Sequence, residues 1–426
     1  MPNNNNNDCP DARIESDGEH VEGLRLRKVW LAIMLAELGS FSDASAAMGI
    51  SQSAASRSIR SLEIELQCAL FTRRGHGVEP TPEGEILLFR AKRAREQLRH
   101  AASDFGETRA EAVFGDMMRA SDHEYRAFIA VYNHATASQA ALSLGVKQPS
   151  ISRSLSRLEL RLKQTLFERR SFEFRAKPIG EKLIVRFKCM FRELDQAHEE
   201  IRLNLGNRKG QVVLGCLPPT RTRLVPDAIG AITAEYPDVN VRVVDGIFQT
   251  LFAMLMHGEL DILIGTLRDP LPEGTNSEFL LFDKVSIVAR PEHPLARRDV
   301  VTLEDCLRYD WILPSSAAPL TQFFNKVLQS QGFASPDRYT EVDSIIVGRS
   351  LLCKSDRLAI LSYFHVEQEV RWGWLSTLPV PLPEAGRKLG ILTKDDYLPT
   401  PYVAAFIEAL RTVGKQMQQD VIADAR

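Results

Sequence analysis

The sequence predicts an α/β protein overall. Two tandem helix–turn–helix units with short basic wings, each followed by a long linker helix, precede an α/β domain. Three observations predict this. Ser40 to Gly84 runs through cap, short helix, turn, second helix and basic hairpin in that order. The pattern returns without a gap 96 residues later. From 211 to 417, strand-like and helix-like stretches alternate.

Residues 1–22 hold an Asn run and several acids with little apolar content, the composition of a disordered tail. An amphipathic helix is expected over Leu24–Leu38. In SFSDASAAMGISQSAASRSIRSLEIELQCALFTRRGHGVEPTPEG, Ser42 and Asp43 are placed to cap a short helix, and Gly49 suits a turn that needs positive φ. Ile50 points inward and Ser51 caps a helix from Gln52 to Leu66. Ala55, Ile59, Leu62 and Leu66 fall on one face of it. The opposite face carries Gln52, Ser53, Ser56, Arg57 and Arg60, side chains that bond base edges and phosphates. Leu70–Phe71 would lock this helix to the body, and Arg73–Arg74 begin the wing.

A linker helix is predicted from Glu85 to Ala102. Its basic run, Arg90, Lys92, Arg93 and Arg95, reads either as a solvated face or as a contact to the DNA backbone. The second copy pairs Gly49 with Gly145, Gln52 with Gln148, Ser56–Arg57 with Ser152–Arg153, Leu62–Glu63 with Leu158–Glu159, and Arg73–Arg74 with Arg169–Arg170. Arg157 extends its polar face. The second wing reads SFEFRAKP where the first has GHGVEPTP, so the glycine turn is gone. Yet residues 145–192 hold 13 Lys/Arg against 4 acids, and residues 49–99 hold 9 against 6. Two readings stay open: both copies bind DNA, or the second is a structural or dimerising piece. A second linker helix, Glu181–Leu205, carries Leu183, Ile184, Phe187, Met190, Phe191 and Leu194, a stronger dimer seam than the first linker offers.

The net charge of −2 hides an asymmetry. Residues 24–205 sum to +7 and residues 206–426 to −4, which suits a polyanion-binding front half joined to a module of another kind. None of the six cysteines makes a CxxC or other metal-ligand spacing, so no cofactor is expected. No secretory signal and no apolar run of transmembrane length is seen, and the expectation is a cytoplasmic protein with no membrane partner.

In the C-terminal half, strands are expected at 211–217, 239–244, 260–265 and 285–289, with helices at 224–235 and 247–258, implying mostly parallel strands. Ser315–Ser316 with His293 and Asp310 invites a triad reading, but no GxSxG elbow supports catalysis. Cys216 reads as a small buried thiol without a basic neighbour rather than as a redox sensor.

Small residues before the turn, then SQSAxSRxIRxLE and LFxRRGxGVxxTPxGE, resemble the winged helix-turn-helix of LysR-type transcriptional regulators over the whole stretch. The stretches VVLGCLPPTRTRLVPDAI, HGELDILIG, VARPEHPLARR, YDWILPSSAAPLTQFF, SDRLAILSYFHVEQEV and LGILTKDDYLPTPYVAAFIEALR resemble the family's periplasmic-binding-protein-like effector domain, in the branch that includes regulators of sugar uptake. The usual member carries a single winged domain, so the duplication is a departure. The implied domains are winged units at 23–84 and 119–180, linkers at 85–118 and 181–208, and an effector domain at 209–418. Its lobes would span about 211–287 and 288–375, with a return to the first.

The resemblance implies a regulator, not an enzyme, that binds double-stranded DNA and a small-molecule effector. It implies a homo-oligomer, dimer or tetramer, with RNA polymerase as a further candidate partner. An effector between the lobes would meet Pro219, Thr220, Arg221, Gly246, Phe248, Thr266, Ser315 and Ser344 at strand ends and helix starts. Many relatives have Ser or Thr where Pro219 stands. Arg221 and Arg223 read either as receivers of an anion or as paired surface cations. The competing functions are a solute-binding sensor whose front half only dimerises, and a DNA binder without effector.

Overall fold

The structure, a computed structural model, describes residues 24–74, 77–170, 173–383 and 387–423, without the side chains of Arg74 and residues 421–423. The expected tail at 1–22 lies outside the described residues. The first winged unit comprises α1 (Leu26–Leu38), α2 (Phe41–Ala47), α3 (Gln52–Leu66), β1 (Phe71–Arg74) and β2 (Gly77–Pro80). The first linker is α4 (Pro82–Ser103), continued after a break by α5 (Glu107–Met118). The second unit comprises α6 (Asp122–His134), α7 (Ala137–Ser143), α8 (Gln148–Leu162), β3 (Phe167–Arg170) and β4 (Glu173–Ala176), followed by the linker α9 (Pro178–Asn204). Each element of the second unit, and its linker, begins 96 residues after its counterpart.

Local chemistry explains these elements. Ser51 caps α3 by accepting from the Ala54 N–H, and Gly49 turns the chain at φ +64°. The cap of α2 is Ser40 rather than Ser42 or Asp43: its Oγ accepts from the Asp43 N–H, so α2 starts earlier than the small-residue run suggested. Ala55, Ile59, Leu62 and Leu66 are buried, as are Ile151, Leu155, Leu158 and Leu162 of α8. The second wing keeps the pairing of the first despite its altered sequence, with Phe71 opposite Pro80 and Phe167 opposite Ala176.

The linkers α4 and α9 pack on one another within the chain, running antiparallel. Asn204 meets Glu83 near one end, and Lys182 meets Asp104 near the other. Leu183, Ile184, Phe187, Met190 and Leu194 are buried here, so the stripe read as a seam for a second subunit is covered in cis. Arg90 corrects both readings of the basic run. It is fully buried, with Nη1 3.0 Å from Glu193, 3.1 Å from Gln196 and 3.2 Å from the Leu398 carbonyl, and Nε 3.2 Å from Glu200. Arg93 bonds Glu193 at 2.9 Å and Arg95 bonds Glu37 at 2.8 Å. Lys92 alone of the four is exposed.

The C-terminal half forms two lobes. The first holds β5 (Gly210–Cys216), α10 (Leu224–Glu235), β6 (Val239–Asp245), α11 (Phe248–Met256), β7 (Ile262–Thr266) and β8 (Thr275–Phe282). The second holds β9 (Val285–Ala289), α12 (Leu303–Leu307), β10 (Trp311–Leu313), α13 (Pro319–Ser330), β11 (Tyr339–Glu341), α14 (Ile345–Cys353), β12 (Leu358–Ser362), α15 (Glu367–Arg371) and β13 (Ser376–Thr377). The chain then returns to the first lobe as β14 (Lys388–Lys394) and α16 (Pro401–Ala423). The sheet orders are β6-β5-β7-β14-β8 and β11-β10-β12-β9-β13.

Parallel pairing is confined to β5, β6 and β7 in one lobe and β10, β11 and β12 in the other. The strands at the crossovers, β9 and β14, pair antiparallel, which the sequence alternation did not reveal. The first crossover falls between Phe282 and Val285, and β9 belongs to the second lobe rather than the first.

Candidate nucleic-acid interface and effector cleft

Each winged unit presents one polar helix face. Gln52, Ser53, Ser56, Arg57 and Arg60 are exposed on α3, and Gln148, Arg153 and Arg157 on α8, with Ser152 half-buried beside them. The first arginine of each face is oriented alike. Arg57 Nε donates to the Ser53 carbonyl at 3.3 Å, and Arg153 Nε donates to the Pro149 carbonyl at 3.2 Å. Both guanidiniums therefore keep outward-facing donors for an acceptor on a duplex. Arg73, Arg169 and Arg170 are exposed on the wings. Arg169 lies over the Phe174 ring at 5.2 Å, and Arg170 is 3.8 Å from Glu168. The side chain of Arg74 is outside the described residues.

Two positions that the motif contained, without a role being read from them, hold these surfaces in place. Glu63 Oε1 accepts from the Leu70 N–H at 2.9 Å, and Glu159 Oε1 accepts from the Leu166 N–H at 2.7 Å. A carboxylate on the recognition helix thus fixes the start of each wing. Gly84 approaches the Leu70 carbonyl so closely that an added Cβ would lie 2.1 Å from its oxygen. This is the physical reason for glycine in the TPEG segment.

In the first lobe, Pro219 and Thr220 are buried in the turn after β5, where the Thr220 hydroxyl donates to the Leu217 carbonyl at 2.9 Å. Arg221 folds back, donating to the Cys216 carbonyl at 3.1 and 3.2 Å and pairing with Asp245. Arg223 pairs with Glu367 at 2.8 Å and with Asp420. Of the two readings of these arginines, the paired one holds. Phe248 stacks on Phe252 with ring centroids 5.5 Å apart and lies under the Arg268 guanidinium. Phe248 and Thr266 line one pocket with Leu217, Gly265 and Arg268, and Gly246 lies half-buried just before α11.

The second lobe contributes Ser315 and Ser344 from adjacent loops. The Ser315 N–H donates to Asp343 at 2.9 Å, and Ser344 caps α14. The structure therefore brings Phe248 to Thr266 and Ser315 to Ser344, one pair on each lobe.

Sequence reasoning missed the bracing between the lobes. Arg387 pairs with Asp283 at 3.1 Å and donates to the Thr266 hydroxyl at 3.3 Å, while Ser362 donates to Asp283. Burial pushes the Asp283 carboxyl up. His365 is buried where the lobes meet, and burial pushes it down to about 4, so it is neutral at pH 7. Cys216 does have a basic neighbour in Arg221, but burial outweighs it and pushes the thiol up, away from a reactive thiolate. The triad reading fails: the buried His293 turns its ring nitrogens to the Leu295 N–H and the Asp356 carbonyl.

Two polar-faced winged units in front of a two-lobed α/β domain define a DNA-binding regulator with a ligand domain. The chain belongs to the LysR family of bacterial transcriptional regulators. The family profile "Bacterial regulatory helix-turn-helix protein, lysR family" matches twice, at residues 26–85 and 123–178, and "LysR substrate binding domain" matches residues 205–415. The transcriptional regulator GalR of Pseudomonas putida is 29% identical over 394 residues, 92% of this chain and 98% of its own length. The uncharacterized regulator YdcI of Escherichia coli is 30% identical over 67% of this chain and 92% of its own. A full-length OxyR variant from Pseudomonas aeruginosa shares the fold with a TM-score of 0.53 at 20% identity, covering 69% of this chain and 94% of its own. Among the described residues no helix is long and apolar enough to cross a membrane.

Proposed function

We propose that this regulator contacts DNA through both winged units and is switched by a small, neutral, hydroxylated effector held between the lobes. The observation that carries the DNA reading is that the same Gln, Ser and Arg stand exposed or half-exposed at the start of α3 and of α8. Gln52, Ser53, Ser56, Gln148 and Ser152 probe base edges. Arg57, Arg60, Arg73, Arg74, Arg153, Arg157, Arg169 and Arg170 mainly hold phosphates and set register.

Two outcomes test these roles. Gln52→Ala should cost about 1–3 kcal/mol at one base pair and relax the preference there, measured by binding to single-base operator variants. A loss equal on every sequence contradicts base reading. Arg73→Ala should weaken binding evenly across sequences and lower the slope of log K against log salt by about one. An unchanged slope contradicts the phosphate contact.

Hydroxyls at Thr266, Ser315 and Ser344 support a hydrogen-bonding effector. The internal pairing of Arg221 and Arg223 argues against their receiving an anion. Sugars therefore fit better than carboxylates, in keeping with the branch that the ARPEHPLARR and WILPSSAAPL segments resemble. Ligand entry shifts the lobe angle and, through α4 and α9, the heads, provided the ligand prefers one state. Footprinting on the promoter beside the gene, with and without neutral sugars and carboxylates, tests this. A footprint that no ligand alters favours an effector-free DNA binder. Association of chains into dimers or tetramers, and contact with RNA polymerase, complete the proposed mode of action in a cytoplasmic setting.

A further inference from the structure

We infer that one chain is itself a complete two-headed DNA reader. The linkers α4 and α9 pair in cis about a pseudo-twofold axis, and α3 and α8 address two inverted half-sites of one duplex. The inference rests on the reading that both winged units contact DNA.

The axis is visible in the contacts. The Leu26 N–H donates to Asp122 at 2.9 Å. These two positions are counterparts, 96 residues apart, and a two-fold maps a contact between counterparts onto itself. Away from the axis, contacts come as pairs. Arg90 donates to Glu193 at 3.0 Å, and Arg186 donates to Gln97 at 3.2 Å. Arg186 is the counterpart of Arg90, and Glu193 is the counterpart of Gln97, so one contact is the two-fold image of the other. At the next level, α3 packs on α9 while α8 packs on α5, the continuation of α4. A tandem, head-to-tail arrangement of the copies would produce none of these reciprocal relations.

The pairing also consumes the surface that a second subunit would need. Leu87, Ala91, Ala94 and Leu98 of α4 are buried, as is the stripe of α9. A seam already closed to solvent within one chain cannot also receive a partner's helix.

A duplex has local two-fold axes perpendicular to its length, so a two-fold pair of readers meets inverted half-sites on it. The two readers are not identical. Ser53 is replaced by Pro149, which has no side-chain donor. Arg60 is matched by Ser156, and Ser61 by Arg157. The half-sites should therefore share the positions read by Gln52/Gln148 and Ser56/Ser152, and differ beside them.

The test uses the full chain with Cys9→Ser and Cys353→Ser and with Asp104→Cys and Lys182→Cys, positions whose side chains meet at 3.0 Å. A short bis-maleimide joins them. The product should have the mass of one chain. Presented with a random duplex pool, it should select two inverted, imperfectly matched half-sites. Arg57→Ala/Arg60→Ala should then weaken protection of one half-site about tenfold, and Arg153→Ala/Arg157→Ala that of the other.

A cross-linked product of two-chain mass overturns pairing in cis. Equal weakening of both half-sites by either pair means that two chains present the same head, and overturns the assignment of one head to each half-site. A one-chain product that selects no duplex overturns the DNA reading itself, separately from the pairing. An uncross-linked chain with only the arginine substitutions repeats the footprint if the cysteine variant folds poorly, and the same half-site criteria apply to it.

Discussion

Arg90→Ala is expected to lower the free energy of unfolding by about 3–5 kcal/mol, the largest effect of any single substitution in the helical half. The guanidinium is fully buried between two glutamates, Glu193 and Glu200, and it also donates to Gln196 and to the Leu398 carbonyl. Removing it leaves carboxylates in a poorly solvated seam, and breaking a buried pair from one side costs far more than the pair contributed net. Chemical denaturation at pH 7 measures the loss. A loss below about 1 kcal/mol would mean that water reaches both carboxylates and that the seam is not dry. Arg90→Lys should fall between, since an ammonium cannot satisfy all four partners at once.

Asp261→Ala is the second large effect, again about 3–5 kcal/mol. This carboxylate is 1% exposed, and it ties three segments together. It accepts from the Val213 N–H at 2.8 Å, from Arg192 at 2.7 Å and from the Tyr397 hydroxyl at 3.0 Å. Val213 lies in β5, Arg192 in α9, and Tyr397 between β14 and α16. The substitution therefore leaves Arg192 with Glu199, 3.4 Å away, as its carboxylate partner and removes one tie between the linker and the first lobe. Hydrogen exchange should rise in the last turns of α9 and in β5, while the α3 amides keep their protection. Faster exchange throughout the first winged unit would show that Asp261 supports the whole molecule and is not a tie between head and lobe.

Much of the candidate interface was legible because its determinants are local. Ser51, Gly49 and the stripe from Ala55 to Leu66 lie within a few turns of one another, so capping and periodicity place α3 unaided. The same holds for α8, and the 96-residue repeat made the second unit readable from the first. What remained hidden depends on segments far apart in the chain. Arg90 looked like part of a basic face because its partners lie more than 100 residues on, in a helix whose antiparallel approach no periodicity encodes. The antiparallel return of β14 and the Asp283–Arg387 brace at the crossovers are set by topology. The pairing of Arg221 with Asp245 needs two neighbouring strand ends, which local pattern cannot supply. The cap at Ser40 was missed for a smaller reason: three hydroxyl or acidic residues compete within four positions, and backbone geometry selects the first.

The repeat has a genetic consequence. In a symmetric homodimer, one codon writes both reading surfaces, so a change that suits one arm of an operator is imposed on the other. Here α3 and α8 are written by separate codons, and Ser53 and Pro149 already differ at matched positions. A mutation in one arm leaves the other as it was. With both heads on DNA, as we propose, such a regulator can follow a drifting promoter one arm at a time, and keep hold of a site that has lost its symmetry.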